Sequence, residues 1–194
     1  MSVVVGVLAL QGDFALHEKS IKRARADVKQ VRWPEDLEGC GGLILPGGES
    51  TAILKLLRKT GLFESIRSFA QTRPLMGTCA GLITLSDHVI NNSFETLSLI
   101  NVEVERNSYG RQVDSFTDTI HIPMFTKKPA FEGVFIRAPR IRALGKDVEA
   151  LGFHGEDVVM ARGGNVLVMT FHPELTKDIR IHRYFIEEMI GEGK

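Results

Sequence analysis

Gly77-Thr78-Cys79-Ala80-Gly81 follows the short apolar run Pro74-Leu75-Met76 and opens a stretch, from Ala80 to about Asp87, that reads as a helix. A strand that turns at once into a helix leaves little room at the bend, and small residues at both second-neighbour positions let the backbone crowd in. The chain is thereby confined to architectures in which strands feed helices across a sheet, and Cys79 is presented on the bend itself. A thiol is mostly protonated at neutral pH and becomes a good nucleophile beside a helix N-terminus or an imidazole. The helix after Cys79 supplies the first of these, and a histidine from another strand end would supply the second. Ala80, next in the chain, is placed to donate its N–H to an oxyanion. A buried, inert cysteine is the commoner fate of this residue type; the paired glycines shift the balance towards function.

The rest of the chain supplies matching parts. Residues 3–10 are continuously apolar and rich in β-branched side chains, which suits a strand covered on both faces, and a helix is expected from Asp13 to about Ala26. A second strand is read at residues 28–32. Gly42-Leu43-Ile44-Leu45 forms a third, ending in the turn Pro46-Gly47-Gly48, with Glu49, Ser50 and Thr51 as a helix entrance. Ile53, Leu56 and Leu57 fall at helical spacing, and beyond Gly61 the set Leu62, Ile66, Phe69 and Ala70 repeats it. Between about Ile100 and Met169, short runs at 101–105, 119–122, 133–137 and 157–161 alternate with Gly, Pro and Asn turns and are expected to extend the sheet with antiparallel strands. Residues 165–171 read as a last core strand, and residues 177–190 as a closing helix with Ile181, Phe185 and Met189 on its apolar face. The fold expected is a three-layer α/β/α sandwich with a mainly parallel central sheet and antiparallel additions, in one domain over residues 1–194.

Composition narrows the function. Lys plus Arg and Asp plus Glu both number 24, so no net field draws the chain to a polyanion, and nucleic acid is not expected as a partner. The apolar opening lacks the basic lead of a signal segment, and Gln11-Gly12-Asp13 follows it in place of a small-residue cleavage site. No apolar run approaches the roughly 20 residues that span a bilayer. The two cysteines, Cys40 and Cys79, make no metal or redox spacing, and the expectation is a cytoplasmic protein with reduced thiols.

Far downstream, Thr170-Phe171-His172-Pro173-Glu174 offers a base and a carboxylate. Pro173 disfavours helix for the residue before it, so an extended segment is expected to point His172 and Glu174 to one side. A carboxylate there would fix the imidazole tautomer and stabilise imidazolium. An isolated His-Pro-Glu is more often a strand-end turn with a solvated acid; coincidence with the cysteine bend reverses that preference. N–H groups in Pro46-Gly47-Gly48-Glu49-Ser50 would complete an oxyanion hole opposite Ala80, against the competing reading of a plain turn. Arg-Asn-Ser-Tyr-Gly-Arg-Gln at residues 106–112 carries groups that bind carboxylates or amides, and Phe135-Ile136-Arg137-Ala138-Pro139 sets an arginine at the end of an apolar run. A solvated loop and an exposed salt bridge are their ordinary readings. His17, His88, His121, His154 and His182 have no partners at metal-ligand spacing and are read as structural, as is Cys40; no metal is expected.

Taken in order, Gly6-Val7-Leu8-Ala9-Leu10-Gln11-Gly12, Pro46-Gly47-Gly48-Glu49-Ser50-Thr51, Gly77-Thr78-Cys79-Ala80-Gly81, residues 106–112, residues 135–139 and Thr170-Phe171-His172-Pro173-Glu174-Leu175 resemble the glutaminase subunit of pyridoxal 5′-phosphate synthase. This is a triad, class I glutamine amidotransferase family with a flavodoxin-like fold. The resemblance implies that Cys79 attacks the side-chain amide of L-glutamine, with His172 as base and Glu174 orienting it. It further implies that Gly47, Gly48 and Glu49 lie along the substrate, that Arg106, Ile136 and Arg137 hold its amino acid end, and that N–H groups near Gly48 and Ala80 stabilise the oxyanion. The partner implied is a larger, barrel-shaped synthase subunit that takes the ammonia. No cofactor is implied for this chain, because the vitamer is a product of the complex.

Departures from the family pattern are Ser108 and Tyr109, where alanine and phenylalanine are usual, and Thr117-Asp118, which replaces a more acidic continuation. Two other readings keep the same residues. One is a triad glutaminase serving another synthase, such as the imidazole glycerol phosphate system, against which residues 106–112 and the Ala-Leu-Gln-Gly opening argue. The other is a non-catalytic regulatory module of the same fold with Cys79 as a redox sensor.

Overall fold

A computed structural model describes residues 3–92, 94–106 and 115–191. The first half runs β1 (Val4–Leu8), α1 (Phe14–Arg23), β2 (Asp27–Val31), β3 (Gly42–Leu45), α2 (Ser50–Thr60), α3 (Leu62–Phe69), β4 (Leu75–Thr78), α4 (Ala80–Leu85) and β5 (Ser86–Val89). The second half runs β6 (Ile100–Glu105), β7 (Ser115–His121), β8 (Ala130–Ile136), β9 (Arg140–Leu144), β10 (Val148–His154), β11 (Asp157–Gly163), β12 (Val166–Met169) and α5 (Arg180–Tyr184), which continues into a π turn at Phe185–Ile190. Short 3-10 turns occupy Pro34–Leu37 and Pro173–Leu175.

The strands whose residues are apolar without a break pair with one another. In the nine-stranded sheet, ordered β2-β1-β3-β4-β12-β11-β10-β7-β8, pairing is parallel from β2 through β12 and antiparallel beyond it. β3, β4 and β12 are buried along their whole length. Their side chains alternate between two cores: Leu43, Leu45, Val166 and Val168 join Ile53, Leu57 and Ile66 on one face, while Ile44, Leu167 and Met169 join Ile21, Ile181 and Phe185 on the other. Helices cover both faces, and the three-layer sandwich follows.

α2 and α3 meet where the sequence breaks. Glu49 caps α2, its carboxylate accepting from the N–H groups of Thr51 (3.2 Å) and Ala52 (2.7 Å). Gly61 closes α2 in the left-handed conformation, at φ 78°.

Four expectations about the elements change. The helix after Cys79 stops at Leu85, not near Asp87: Ser86 turns extended and its hydroxyl donates to the Ile83 carbonyl (2.8 Å), and residues 86–89 become β5. The run at 101–105 does not extend the main sheet. It forms β6 of a separate three-stranded sheet, β5-β6-β9, because Ile100, Val102 and Val104 face the core on the α2–α4 side. The closing helix begins at Arg180, whose N–H bonds the Asp178 carboxylate (3.1 Å), and residues 173–175 form a 3-10 turn instead of the extended segment expected around Glu174. Among the described residues, no helix is long and apolar enough to cross a membrane.

Candidate active site

Three loops at the C-terminal ends of parallel strands converge, the place where open α/β sheets leave a crevice. β4 delivers Cys79, whose backbone N–H donates to the Met169 carbonyl at the end of β12 (2.9 Å). Cys79 sits at φ 49°, ψ −102°, a left-handed conformation that a non-glycine residue adopts at a cost of order 1–3 kcal/mol. Close approach explains the glycines around it. A Cβ on Gly81 would run into the Leu45 carbonyl, and one on Gly77 would meet the Gly81 backbone at 2.8 Å. The bend is held by neighbours that touch backbone to backbone.

β12 delivers the base. The His172 N–H donates to the Val134 carbonyl (2.8 Å), so the antiparallel half of the sheet fixes the chain just where it leaves the strand. The imidazole Nδ1–H then donates to Glu174 Oε1 at 2.7 Å, and both side chains are buried. The pair forms although Pro173 starts a 3-10 turn. His172 keeps an extended-type backbone (φ −110°, ψ 89°), as a residue before proline does, and the turn swings Glu174 back onto it.

β3 delivers Gly47, and the imidazole lies where a Cβ of Gly47 would be, with His172 Cε1 the atom it would strike. Beyond it, the Glu49 N–H donates to Gln11 Oε1 (2.8 Å).

The electrostatics follow from these contacts. Burial disfavours a charged His172, but hydrogen bonding to Cys79 and Glu174 and their negative charge outweigh it and raise the imidazole to about 10. Burial likewise opposes a charged Glu174. The fields of His17 and His172, the hydrogen bond from His172 and the carboxyl's own backbone N–H prevail, and Glu174 is held below its ordinary value. Cys79 Sγ lies 3.8 Å from the Ile136 carbonyl oxygen, and His172 Nε2 is buried on the side of the imidazole that faces the sulfur. Sulfur and imidazole are thus electrostatic neighbours, and the charge of one favours the opposite charge on the other. Asp13, His172 and Glu174 can bring ligand atoms within 4.8 Å of one another, and within this group His172 Nδ1 and Glu174 Oε1 bind each other.

A cleft of about 310 Å³ opens over the sulfur, and Gln11, Gly48, Glu49, Cys79, Ala80, Arg106, Ile136, Arg137 and His172 are among the residues lining it. Among the described residues anticipated at the site, all but Gly47 and Glu174 line this cleft, and these two lie against His172. Arg106 reaches Glu49 Oε1 at 3.5 Å and lies over the Phe94 ring (5.5 Å to its centre). Arg137 stands at φ 41°, a second left-handed non-glycine residue on the rim. Ala80 opens α4, where first-turn N–H groups have no partner inside the helix. Residues 107–112, including Ser108 and Tyr109, lie outside the described residues.

Two contacts were not legible in the sequence. His17 on α1 and His182 on α5, read as structural, stack up behind Glu174: His17 Nε2 lies 3.4 Å from Glu174 Oε2, and His17 Nδ1 lies 3.1 Å from His182 Nε2. They are 165 positions apart, and no local spacing signals the pair.

The chain matches the model of the SNO glutamine amidotransferase family over residues 7–191. It is 48% identical over 191 residues to the pyridoxal 5′-phosphate synthase subunit PdxT of Pelotomaculum thermopropionicum, covering 98% of this chain and 97% of that one. To the protein of the same name from Thermotoga maritima it is 44% identical, covering 94% of this chain and 97% of the other. A solved glutamine amidotransferase superposes with a TM-score of 0.91 at 46% identity, over 96% of this chain and 98% of that chain. A putative GMP synthase protein from Thermoplasma acidophilum shares the fold, with a TM-score of 0.70 at 15% identity over 100% of this chain and 94% of the other.

Proposed function

The chain belongs to the SNO glutamine amidotransferase family, and from that premise we propose that Cys79, His172 and Glu174 hydrolyse L-glutamine for a pyridoxal 5′-phosphate synthase, the assembly named for its relatives. The observation that carries this reading is the buried 2.7 Å bond from His172 to Glu174, with the other imidazole nitrogen buried beside the cysteine bend.

Glutamine lies along Gly47, Gly48 and Glu49 with its amino acid end toward Arg106, Ile136 and Arg137. His172 already carries its proton at neutral pH and stands as imidazolium beside the sulfur while Cys79 Sγ attacks the carboxamide carbon, and N–H groups at Gly48 and Ala80 receive the oxyanion. The C–N bond breaks as His172 gives its proton to the leaving nitrogen, and ammonia departs. Water, deprotonated by His172, then attacks the γ-glutamyl thioester, and glutamate leaves with the sulfur restored. Glu174 remains ionised throughout, holding Nδ1–H so that the proton exchanged with the substrate is the one on Nε2.

The partner is a larger synthase subunit that receives the ammonia, and the setting is the cytoplasm. The test is glutamate release from glutamine with and without the synthase subunit, comparing the parent with Cys79→Ala. Turnover stimulated by the partner and abolished by the substitution supports the assignment. An inert parent in the presence of an active partner, or full turnover in Cys79→Ala, refutes it.

A further inference from the structure

We propose that His17 is a positioning residue for the glutaminase reaction, a neutral donor that fixes the far oxygen of Glu174 and is itself fixed by His182. The inference rests on the triad reading above and extends it by one shell.

Glu174 has two oxygens in a closed pocket. Oε1 is bonded to His172, while Oε2 has no formed hydrogen bond and faces His17 Nε2 at 3.4 Å, with both side chains fully enclosed. His17 Nε2 is also 3.3 Å from the Thr78 hydroxyl, on the residue before the nucleophile. A buried carboxylate oxygen without a donor is costly, and an unprotonated nitrogen turned toward it would add lone-pair repulsion.

The tautomers follow from the partners. With hydrogen on His17 Nε2, that nitrogen serves Glu174 and Thr78, and His17 Nδ1 is left to accept from His182 Nε2–H at 3.1 Å. His182 Nδ1, which has no hydrogen-bond partner, is then a bare acceptor. The opposite assignment would bury an unpaired N–H at that atom and aim a lone pair at a carboxylate. The chain of donors therefore runs from His182 to His17 to Glu174, and from His172 to Glu174 on the other side.

Both imidazoles are held neutral. Burial lowers His17, with Glu174 and Asp13 opposing and His172 assisting. Burial lowers His182 to about 3, with His17 and Arg23 assisting and Glu174 opposing. The groups facing the relay are thus Asp13 from the loop before α1, Arg23 at the end of α1, His172 and Glu174 after β12, and His182 on α5; Cys79 completes the set through His172. His17 steadies Glu174 by donating a hydrogen bond and, neutral at neutral pH, leaves the carboxylate charge to His172; its own field acts on Glu174 only at the lower pH where His17 takes a second proton.

The test is the pH dependence of glutamine hydrolysis by the complex with the synthase subunit, for the parent, His17→Leu and His17→Gln. Removing the donor in His17→Leu lowers kcat about tenfold with KM within twofold and moves the alkaline limb of kcat/KM to lower pH, because Glu174 holds imidazolium less firmly. His17→Gln, whose side-chain amide reaches the Nε2 position, restores most of the rate and the limb. If His17→Leu folds poorly, His182→Leu gives the same shift at smaller size. An alkaline limb that stays at the parent's position in His17→Leu, or in His182→Leu, overturns the proposal, as does a well-folded His17→Gln that restores neither rate nor limb. A parent inert toward glutamine would instead sink the glutaminase reading. In that event alkylation of Cys79 by iodoacetamide at neutral pH, located by peptide mass, still decides the relay: slower in His17→Leu supports it, equal to the parent overturns it.

Discussion

Cys79 and Cys40 are both free and buried, yet they sit at opposite ends of the parallel sheet and only one meets an imidazole. Cys79 follows β4 at the C-terminal edge, on a left-handed backbone, with His172 beside it and a cleft above. Cys40 precedes β3 at the other edge, and its thiol donates to the Asp36 carbonyl at 3.4 Å. Burial pushes the Cys40 thiol above its ordinary value, Asp36 adding to this and Lys29 opposing it. Burial alone makes a cysteine inert; position relative to the strand ends decides whether a base can reach it.

The sharpest break in that comparison is the paired substitution. Cys79→Ala lowers glutaminase kcat by about a millionfold, to the background of the assay, whereas Cys40→Ala leaves kcat within about twofold. Next in size is Glu174→Gln, which removes the charge that favours imidazolium and costs roughly a hundredfold to a thousandfold in kcat. Because His172 is raised to about 10, the parent's kcat/KM holds through neutral pH and falls as pH rises through that value. In Glu174→Gln the fall begins at lower pH, which a pH–rate profile checks directly. Gly47→Ala tests the geometry without touching a reacting group: its methyl displaces the imidazole, and kcat falls about a hundredfold with folding retained by circular dichroism. The smallest effect is on stability, where Cys40→Ala loses about 1 kcal/mol in urea unfolding.

The parallel half of the fold was legible because its strands carry their signal locally. Gly42-Leu43-Ile44-Leu45 is apolar on both faces and became β3 as read, and Gly61 ended α2 in the conformation glycine favours. The outlying strands were harder. β9 and β10 mix polar and apolar residues over a few positions, and β5 is the four-residue segment Ser-Asp-His-Val, in which no period can be counted. Their pairing comes from neighbours distant in the chain. The same division holds at the site. Cys79, His172 and Glu174 announce themselves through a glycine bend and a proline, both local signals. His17 and His182 do not, since each has only a helix for a neighbourhood and their partner, Glu174, arrives by tertiary packing.

Acylation of the Cys79 sulfur by the substrate is the step on which the whole mechanism depends. Acid quenching of the complex during glutamine turnover, followed by mass analysis of the peptide bearing Cys79, measures this most directly. The expected result is one γ-glutamyl group on Cys79 during turnover, absent when glutamine is withheld, with Cys40 unmodified. Sustained ammonia release with no acyl group on Cys79, and undiminished in Cys79→Ala, would contradict it.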